Sequence, residues 1–372
     1  MISSAPHRMT TFRTAFVVVA LAAAPLAVAS EAQASGPRIA VDVASGRVIE
    51  HQDAFQRWYP ASLTKLMTAY VAFRAIEAGQ LSLDTPITMT EEAAKQPASK
   101  MYFTAGVRFT LDSALKYLIV KSANDVAVAI AQAVDGSVAD FVATMNAEAL
   151  RLGMTSTRFV NPNGLPGEGQ YTTARDLALL AVALKRDFPQ FASYFAVEGF
   201  SVGKREFLNY NILVGRFAGA DGMKTGYICA SGFNQVSSAT RDGRSVVTVV
   251  LGENSLEKRA EESARMLQAA LTATSGGQTL TALAPYGEGR DTVKDISAEV
   301  CSPEARKTRA EGRDDNGKMM LRSPYIGPEP TSYRIVAAPV GIAIGDGEAT
   351  AQEAAIVLGT RKIPVPKPRP VL

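Results

Sequence analysis

One short segment, Pro60-Ala-Ser-Leu-Thr-Lys-Leu-Met-Thr68, constrains this chain more than any other feature. Its proline suits the entry to a helix, and apolar residues from Leu66 to Phe73 recur at helical spacing, which predicts a helix with one buried face. Ser62 and Lys65 then lie on the same face, one turn apart. A neutral lysine at that spacing can take the proton of a serine hydroxyl, and backbone N–H groups at a helix start can stabilise an oxyanion. The segment therefore predicts a nucleophilic serine at position 62.

The Ser-x-x-Lys spacing alone is weak evidence, because it occurs by chance about once in a chain of this length. Ser113-x-x-Lys116 lies in an amphipathic helical pattern, with its polar residues on the outer side. Ser255-x-x-Lys258 is followed by two glutamates and is typical of a helix cap with acidic residues in the first turns. Both of these copies are predicted to be structural.

Two further motifs distinguish Ser62, because Ser122-x-Asn124 and then Lys224-Thr225-Gly226 follow it in that order. Each has an ordinary structural interpretation: Ser122 as the cap of a helix, and Lys224 as a surface lysine. An ammonium and a hydroxyl at the start of a strand can instead bind an anion, while glycine lets a ligand approach the backbone. The three motifs together are far more specific than any one of them.

Composition fits an ordinary globular protein. The 372 residues are 47% hydrophobic and 20% charged, enough for one large core and a second small one. The formal charge of +3 is small and evenly spread, and no basic stretch is interleaved with aromatic residues. A nucleic-acid partner is therefore not expected.

Residues 1–34 are interpreted as a secretory signal. Two arginines precede an apolar run at 15–29, and Ala32-Gln-Ala34 is a small-x-small cleavage site before Ser35. An uncleaved membrane anchor is the alternative, but the run is short, rich in alanine and interrupted by a proline. The mature protein is expected to be exported, in the periplasm or cell-envelope space. That compartment would allow Cys229 and Cys301 to form a disulfide, and two buried free thiols are the alternative.

From residue 35 to residue 274, strands at both ends enclose a helical cluster, which predicts an α+β or α/β/α sandwich. The loop 161–167, rich in turn residues, is interpreted as structural. The elements expected along this stretch are a hairpin at 38–50, helices at 64–77, 111–120, 123–134, 138–152, 177–184 and 257–273, and strands at 231–239 and 245–251.

After Thr274 the pattern weakens. A Ser-Gly-Gly linker, a mixed charge run at 304–318 and a basic, proline-rich end at 362–372 predict that 275–372 is poorly structured, with a possible small β module.

The chain resembles the low-molecular-mass penicillin-binding proteins that are serine-type D-alanyl-D-alanine carboxypeptidases. The resemblance runs from about residue 38 to residue 273 and extends to the surroundings of the motifs. It is carried by Pro60-Ala-Ser-Leu-Thr-Lys-Leu-Met-Thr68, Val120-Lys-Ser-Ala-Asn-Asp125, Met145-Asn-Ala-Glu-Ala-Leu-Arg-Leu-Gly-Met154, Asn161-Pro-Asn-Gly-Leu165 and Asp221-Gly-Met-Lys-Thr-Gly-Tyr227. It implies a penicillin-recognising transpeptidase/β-lactamase-like sandwich, an antiparallel sheet flanked by helices plus a helical subdomain, with the active site between them.

The resemblance also implies roles for individual residues. Ser62 would attack the carbonyl between the two terminal D-alanines of a peptidoglycan stem peptide, with Lys65 as its base. Ser122 would relay a proton to the leaving D-alanine, and Asn124 would orient the substrate amide and Lys65.

The third motif would bind the other end of the substrate. Lys224 and Thr225 would hold the terminal carboxylate beside Gly226, and the N–H groups of Ser62 and Tyr227 would form the oxyanion hole. β-Lactams would acylate the same serine, and no metal or organic cofactor is implied.

The chain departs from the family pattern at its C-terminus. Family members commonly carry an all-β second domain and a terminal amphipathic helix that holds them on the membrane, so membrane attachment is left open here. A β-lactamase is disfavoured because no Glu-x-x-x-Asn loop lies between the second and third motifs. An endopeptidase that cuts peptide cross-links uses the same three motifs and remains an alternative. So does a catalytically silent wall-binding protein, against which the intact Ser62, Lys65 and Lys224 argue.

Overall fold

The computed structural model describes residues 1–3, 5, 36–311 and 319–341. The predicted secretory signal and the basic, proline-rich end lie outside the described residues, apart from Met1–Ser3 and Ala5 in the signal. Within the described part, no single helix is long and apolar enough to cross a membrane, while one pair of helices, bent by 85°, passes the same test of length and composition together.

An antiparallel five-stranded sheet forms the centre of the fold, in the order β2-β1-β9-β8-β7. Its strands are β1 (Arg38–Asp42), β2 (Val48–Gln52), β7 (Ala220–Ile228), β8 (Gly232–Arg241) and β9 (Arg244–Glu253). The shorter strands are β3 (Pro86–Thr88), β4 (Arg108–Thr110), β5 (Gly199–Val202), β6 (Arg205–Leu208) and β10 (Ile335–Ala337). β3 pairs with β4, and β10, β5 and β6 form a three-stranded sheet.

The helices are α1 (Lys65–Glu77), α2 (Glu91–Ala94), α3 (Leu111–Ile119), α4 (Asn124–Asp135), α5 (Val138–Arg151), α6 (Ala174–Asp187), α7 (Leu256–Thr272), α8 (Ser297–Cys301) and α9 (Pro303–Glu311). Two 3-10 segments, Ala61–Thr64 and Pro189–Ala196, precede α1 and β5.

Both faces of the central sheet are covered, because alternate residues of a strand point to opposite sides. Val246 and Val250 of β9 pack with Leu267 of α7 in the smaller core. Val247 and Val249 face the larger core, which contains Leu177 of α6 and the helices α1 and α3 to α5. The predicted α+β arrangement is confirmed.

Local sequence signals define most helix starts. The hydroxyls of Thr173 and Ser255 accept hydrogen bonds from backbone N–H groups three residues on, at the starts of α6 and α7. α6 begins at Ala174, immediately after its cap and three residues before the predicted start. The prediction that Ser255 is a helix cap is confirmed.

The Lys-Thr-Gly motif lies inside a strand that the sequence did not predict. β7 runs from Ala220 to Ile228 at the edge of the central sheet, so Lys224 is in its middle and pairs with Val236 of β8. The expectation that the motif begins a strand was wrong. Two glycines and two charged residues interrupt the apolar pattern of β7, although residues 222–226 are buried.

Much of the described region after Thr274 packs on the larger core, contrary to the expectation of a poorly structured tail. Val300 and Ala338 are fully buried in the larger core, and Leu280 is nearly so. β10 pairs in parallel with β5, and the hydroxyl of Tyr117 on α3 donates to the carbonyl of Ala338 at 2.7 Å. The predicted β module is thus a single strand added to the β5–β6 hairpin, as far as the described residues go.

Candidate functional site

The predicted nucleophile lies on a tight turn between strand β7 of the central sheet and helix α1. Ser62 belongs to the 3-10 segment that follows Pro60 and leads directly into α1. Ala61, just before it, has a left-handed φ of 46°, an uncommon conformation for a residue with a side chain. The Nζ of Lys65 lies 2.9 Å from the Oγ of Ser62, so the structure brings together the pair that the sequence predicted.

Lys65 is completely buried and is held from three sides. Besides Ser62, its Nζ contacts the side-chain oxygen of Asn124 at 2.7 Å and the carbonyl oxygen of Asn163 at 2.6 Å. Burial lowers the pKa of Lys65 well below its ordinary range, the charge of Lys224 lowers it further, and the carboxylate of Asp125 opposes the shift. A buried lysine with a lowered pKa next to a serine hydroxyl can act as a base.

The second motif forms the opposite wall, between α3 and α4. Asn124 is the first residue of α4, and its side-chain NH₂ donates to the carbonyl of Pro97 at 2.9 Å. Ser122 has a left-handed φ of 60°, and its buried Oγ has no hydrogen-bond partner among the described residues. A strained serine with an unpaired buried hydroxyl is free to exchange a proton with a bound ligand.

Asp125 stabilises the loop that covers this wall. Its buried carboxylate accepts hydrogen bonds from the backbone N–H groups of Met101 and Tyr102, at 2.9 to 3.1 Å. Burial raises the pKa of Asp125, and these backbone donors together with that of Val126 oppose the rise. Since Asp125 adjoins Asn124, the loop and the second motif are held as one unit.

The third motif runs past the nucleophile along the outer edge of β7. A side chain at Gly226 would lie 3.1 Å from the backbone nitrogen of Ser62, so only glycine permits this approach without displacement. Lys224 is buried, and its Nζ donates to the carbonyl of Thr225 at 3.0 Å. Burial, with a smaller contribution from the charge of Arg259, lowers the pKa of Lys224 to about 7.

Tyr227 lies at the mouth of the site, with 40% of its surface exposed. Its ring packs against Phe233 with centroids 4.4 Å apart, and its hydroxyl is 3.2 Å from the sulfur of Cys301. Cys229 and Cys301 form a disulfide, the first of the two alternatives left open by the sequence. This bond ties α8 to the end of β7, two residues beyond Tyr227.

Two residues at the site were not predicted from the sequence. Asn163, in the loop interpreted as purely structural, provides a backbone carbonyl to Lys65, and Gly164 beside it approaches Ala61 so closely that a Cβ would lie 1.8 Å from its carbonyl oxygen. Arg259 of α7 is 4% exposed and adds a second buried cation near Lys224. Burial lowers the pKa of Arg259 to about 10. The sequence signal for Asn163 was the Asn161-Pro-Asn-Gly-Leu165 segment, which contributes to the family resemblance, and Arg259 had none.

The Ser-x-x-Lys copies at Ser113 and Ser255 have structural contacts, as predicted, although Ser113 is fully buried and not on the outer side of its helix. A further copy, Ser201-Val-Gly-Lys204, spans the turn between β5 and β6. The Oγ of Ser113 donates to the carbonyl of Pro339 at 2.9 Å, and Ser255 caps α7. Within the described residues, no group of three or more His, Cys, Asp or Glu could hold a metal ion.

A helix-flanked antiparallel sheet, with a serine at its edge hydrogen-bonded to a buried lysine, is typical of penicillin-binding DD-peptidases, and solved structures of this class align with the chain. The D-alanyl-D-alanine carboxypeptidase DacD from Francisella tularensis aligns with a TM-score of 0.62 at 34% identity, over 64% of this chain and 70% of the other. Penicillin-binding protein D2 from Listeria monocytogenes, in its ampicillin-bound form, aligns with a TM-score of 0.57 at 27% identity, over 64% of this chain and 97% of the other. The predicted penicillin-recognising fold is confirmed.

The chain belongs to the D-alanyl-D-alanine carboxypeptidase family, peptidase family S11, whose model matches residues 23–255. The D-alanyl-D-alanine carboxypeptidase DacC of Escherichia coli K12 is 35% identical over 257 residues, 66% of this chain and 64% of that protein. DacA of Haemophilus influenzae is 34% identical over 235 residues, 62% of this chain and 60% of that protein. The chain thus spans about three fifths of the length of these curated relatives.

Proposed function

We propose that this protein is a serine peptidase that removes the terminal D-alanine from peptidoglycan stem pentapeptides, through an acyl-enzyme at Ser62. The observation that carries the proposal is the buried Lys65, whose Nζ lies 2.9 Å from the Oγ of Ser62 and 2.7 Å from the side-chain oxygen of Asn124. Membership of the carboxypeptidase family supports the substrate class.

In acylation, the Oγ of Ser62 attacks the carbonyl carbon between the two terminal D-alanines while neutral Lys65 takes the hydroxyl proton. The C–N bond then breaks, and the leaving amine receives a proton through Ser122, whose hydroxyl has no partner among the described residues. Asn124 orients Lys65 and the substrate amide.

The oxyanion that forms in this step is stabilised by the backbone N–H groups of Ser62 and Tyr227. Two features of β7 support this assignment. It is an edge strand whose outer side pairs with no other strand among the described residues. At Gly226 it passes so close to Ser62 that a Cβ there would lie 3.1 Å from the backbone nitrogen of Ser62.

The terminal carboxylate of the substrate is bound by Lys224 and Thr225, with Arg259 adding positive charge behind them. The burial of two cations close together costs free energy unless an anion binds between them. Their burial therefore supports a site for a substrate carboxylate. Water subsequently hydrolyses the Ser62 ester, which releases the shortened peptide and returns the proton to the serine.

β-Lactams are proposed to acylate Ser62, as they resemble the D-alanyl-D-alanine terminus, and a related protein has been solved in its ampicillin-bound form. The enzyme is proposed to act after export, in the cell envelope where peptidoglycan lies. Neither a membrane anchor nor a nucleic-acid partner is part of the proposal.

Product analysis by mass spectrometry tests the function. The protein is incubated with a stem pentapeptide ending in D-Ala-D-Ala and, separately, with a cross-linked dimer. Release of one D-alanine from the pentapeptide is expected. Cleavage of the dimer alone would identify an endopeptidase, and no cleavage of either would favour a silent wall-binding protein.

A further inference from the structure

The turn between β6 and β7 presents an exposed tyrosine on a rigid support. Tyr210 lies between two asparagines whose side chains are both engaged with the backbone. Asn209 donates through its NH₂ to the carbonyl of Val197 at 2.8 Å. Asn211, 1% exposed, donates to the carbonyl of Gly222 at 2.8 Å. The position of Tyr210 is therefore fixed on both sides, although 42% of its surface is exposed.

Tyr210 joins the two walls of the cleft. Its backbone carbonyl accepts a hydrogen bond from the guanidinium of Arg259 at 3.4 Å, on the side that carries Lys224. Its hydroxyl accepts one from the Nζ of Lys121 at 2.8 Å, on the opposite side, immediately before Ser122. Tyr210 thus contacts Arg259, which lies near Lys224 of β7, and also Lys121, which precedes the Ser122-x-Asn124 motif.

Lys121 is placed for this contact rather than for an ion pair. Its ammonium lies 5.2 Å from the ring centroid of Tyr210 and 5.6 Å from that of Phe207, within cation–π range. Among the described residues it forms no salt bridge. The backbone carbonyl of Lys121 is held by the hydroxyl of Ser99 at 2.9 Å. Both ends of the Lys121–Tyr210 contact are consequently fixed by the fold.

The Lys121–Tyr210 bridge lies beside the cations that are proposed to bind the terminal carboxylate, because Tyr210 contacts Arg259. The buried cations Lys224 and Arg259 mark the position of the terminal carboxylate, and Arg259 contacts Tyr210 directly. In the proposed binding mode, a peptide that continued past its terminal D-alanine would extend towards this bridge. A free carboxylate that ends there would instead meet three cations.

We infer that Tyr210, anchored by Lys121, closes the leaving-group end of the cleft and restricts cleavage to substrates whose leaving group is a single residue with a free carboxylate. The inference rests on the proposed function and deepens it: Tyr210 is a specificity residue that selects carboxypeptidase over endopeptidase action. It acts by excluding longer leaving groups, so it affects the competition between substrates more than the chemical step.

The test compares the kcat/KM of two peptides with the same acyl portion, one ending in D-Ala-D-Ala and the other extended by one further residue. Wild-type protein is expected to cleave the first and to discriminate strongly against the second. Tyr210→Ala should raise the ratio of extended to unextended cleavage by about tenfold or more, because the barrier to chain passage is removed. Lys121→Met keeps the ring of Tyr210 but removes the hydrogen bond from Lys121 to its hydroxyl, so it should raise the same ratio by a smaller factor.

Tyr325→Ala is the matched control, because Tyr325 is equally exposed, at 43%, but belongs to none of the three motifs and, within the described part of the chain, forms no hydrogen bond with Lys121 or Arg259. This control should leave the ratio unchanged. Covalent labelling by penicillin, followed for each variant, reports that Ser62 and its surroundings are intact. The inference would be overturned if Tyr210→Ala still reacts with penicillin but its ratio of extended to unextended cleavage is unchanged or lower than that of the wild type.

The two proposals fail in different ways. Wild-type protein that cleaves both peptides equally would overturn the role of Tyr210 while leaving the serine peptidase intact. Wild-type protein that neither labels nor cleaves would overturn both.

Discussion

At the scale of single residues, two buried lysines have different roles in the proposed reaction. Lys65 must be neutral to act as a base, and Lys224 must be charged to bind a carboxylate. Both are fully or almost fully buried, and the charge of Lys224 is one cause of the lowered pKa of Lys65. A protonated Lys224 therefore favours the neutral form of Lys65 that the chemistry requires.

Replacement of Lys65 by arginine tests the base. Arginine keeps the positive charge and gives up no proton near neutral pH, so Lys65→Arg should acylate about 100-fold more slowly or worse. The rate of covalent labelling by penicillin measures this, and the melting temperature shows whether the variant folds. A folded variant that labels within a few-fold of the wild-type rate would assign the base to another group.

The pH profile tests Lys224. Its pKa is lowered to about 7, so the free enzyme loses this charge as the pH rises through that value. The kcat/KM for a peptide with a free carboxylate should therefore decline above about pH 7, mainly through a higher KM. Lys224→Arg should shift the decline to higher pH because arginine remains charged. If both proteins decline at the same pH, another group controls the descending limb.

At the scale of elements, the site depends on two close backbone approaches. Gly226 lets the edge strand β7 run past Ser62, and Gly164 lets the 161–167 loop lie against Ala61. Both glycines therefore contact the turn that contains Ala61 and Ser62, and these contacts restrict the backbone conformation of the turn. The catalytic geometry thus comes from elements more than one hundred residues apart in the chain, since Gly226 follows Ser62 by 226 − 62 = 164 residues.

Gly164→Ala should be much more damaging than an alanine at an unobstructed left-handed glycine. Gly164 has φ +83° and a Cβ there would lie 1.8 Å from the carbonyl oxygen of Ala61, whereas Gly136, with φ +79°, has nothing within 4 Å. Gly136→Ala should cost about 1 to 2 kcal/mol for the left-handed conformation alone. Gly164→Ala should cost at least about 2 kcal/mol more and slow acylation about tenfold, because the turn must move. Chemical denaturation and penicillin labelling measure the two effects, and equal losses in the two variants would contradict this account.

The sequence predicted those elements whose signals are local. The capped helices α3, α5 and α7 were predicted to within one residue at each end, α6 was predicted three residues too short at each end, and the ordered motifs led to Ser62 and Lys65. β7 was missed because its glycines and Lys224 conceal a strand that only its neighbour β8 makes favourable. Arg259 was missed because a charged residue on an amphipathic helix is ordinarily exposed, and only tertiary packing buries it.

At the scale of the whole molecule, the described part of the chain beyond Thr274 packs on the larger core. Its sparse apolar residues escaped pattern analysis because they are buried singly, with no helical or strand periodicity. Ile296 donates its backbone N–H to the carbonyl of Ala230, one residue past Cys229, and Val300 is fully buried. Removal of this described region would uncover part of the larger core, so a chain that ends at Thr274 is expected to be less stable.

Loss of the disulfide should destabilise the protein without abolishing its chemistry. The bond joins cysteines 72 residues apart, and closing a loop of this size is worth about 2 to 4 kcal/mol. Cys301→Ser should melt at a lower temperature and still label with penicillin. Cys229→Ser should lose a similar amount, and the double variant little more than either, because all three lack the same bond. Single variants that melt with the wild type would show that the bond contributes nothing to stability.

The central claim is that Ser62 is the acylated nucleophile, and peptide mapping of the penicillin adduct by mass spectrometry tests it most directly. The account predicts one adduct, carried by the peptide that contains Ser62, and its complete absence in Ser62→Ala. An adduct on the peptide containing Ser113 or Ser255, or labelling that persists in Ser62→Ala, would contradict it.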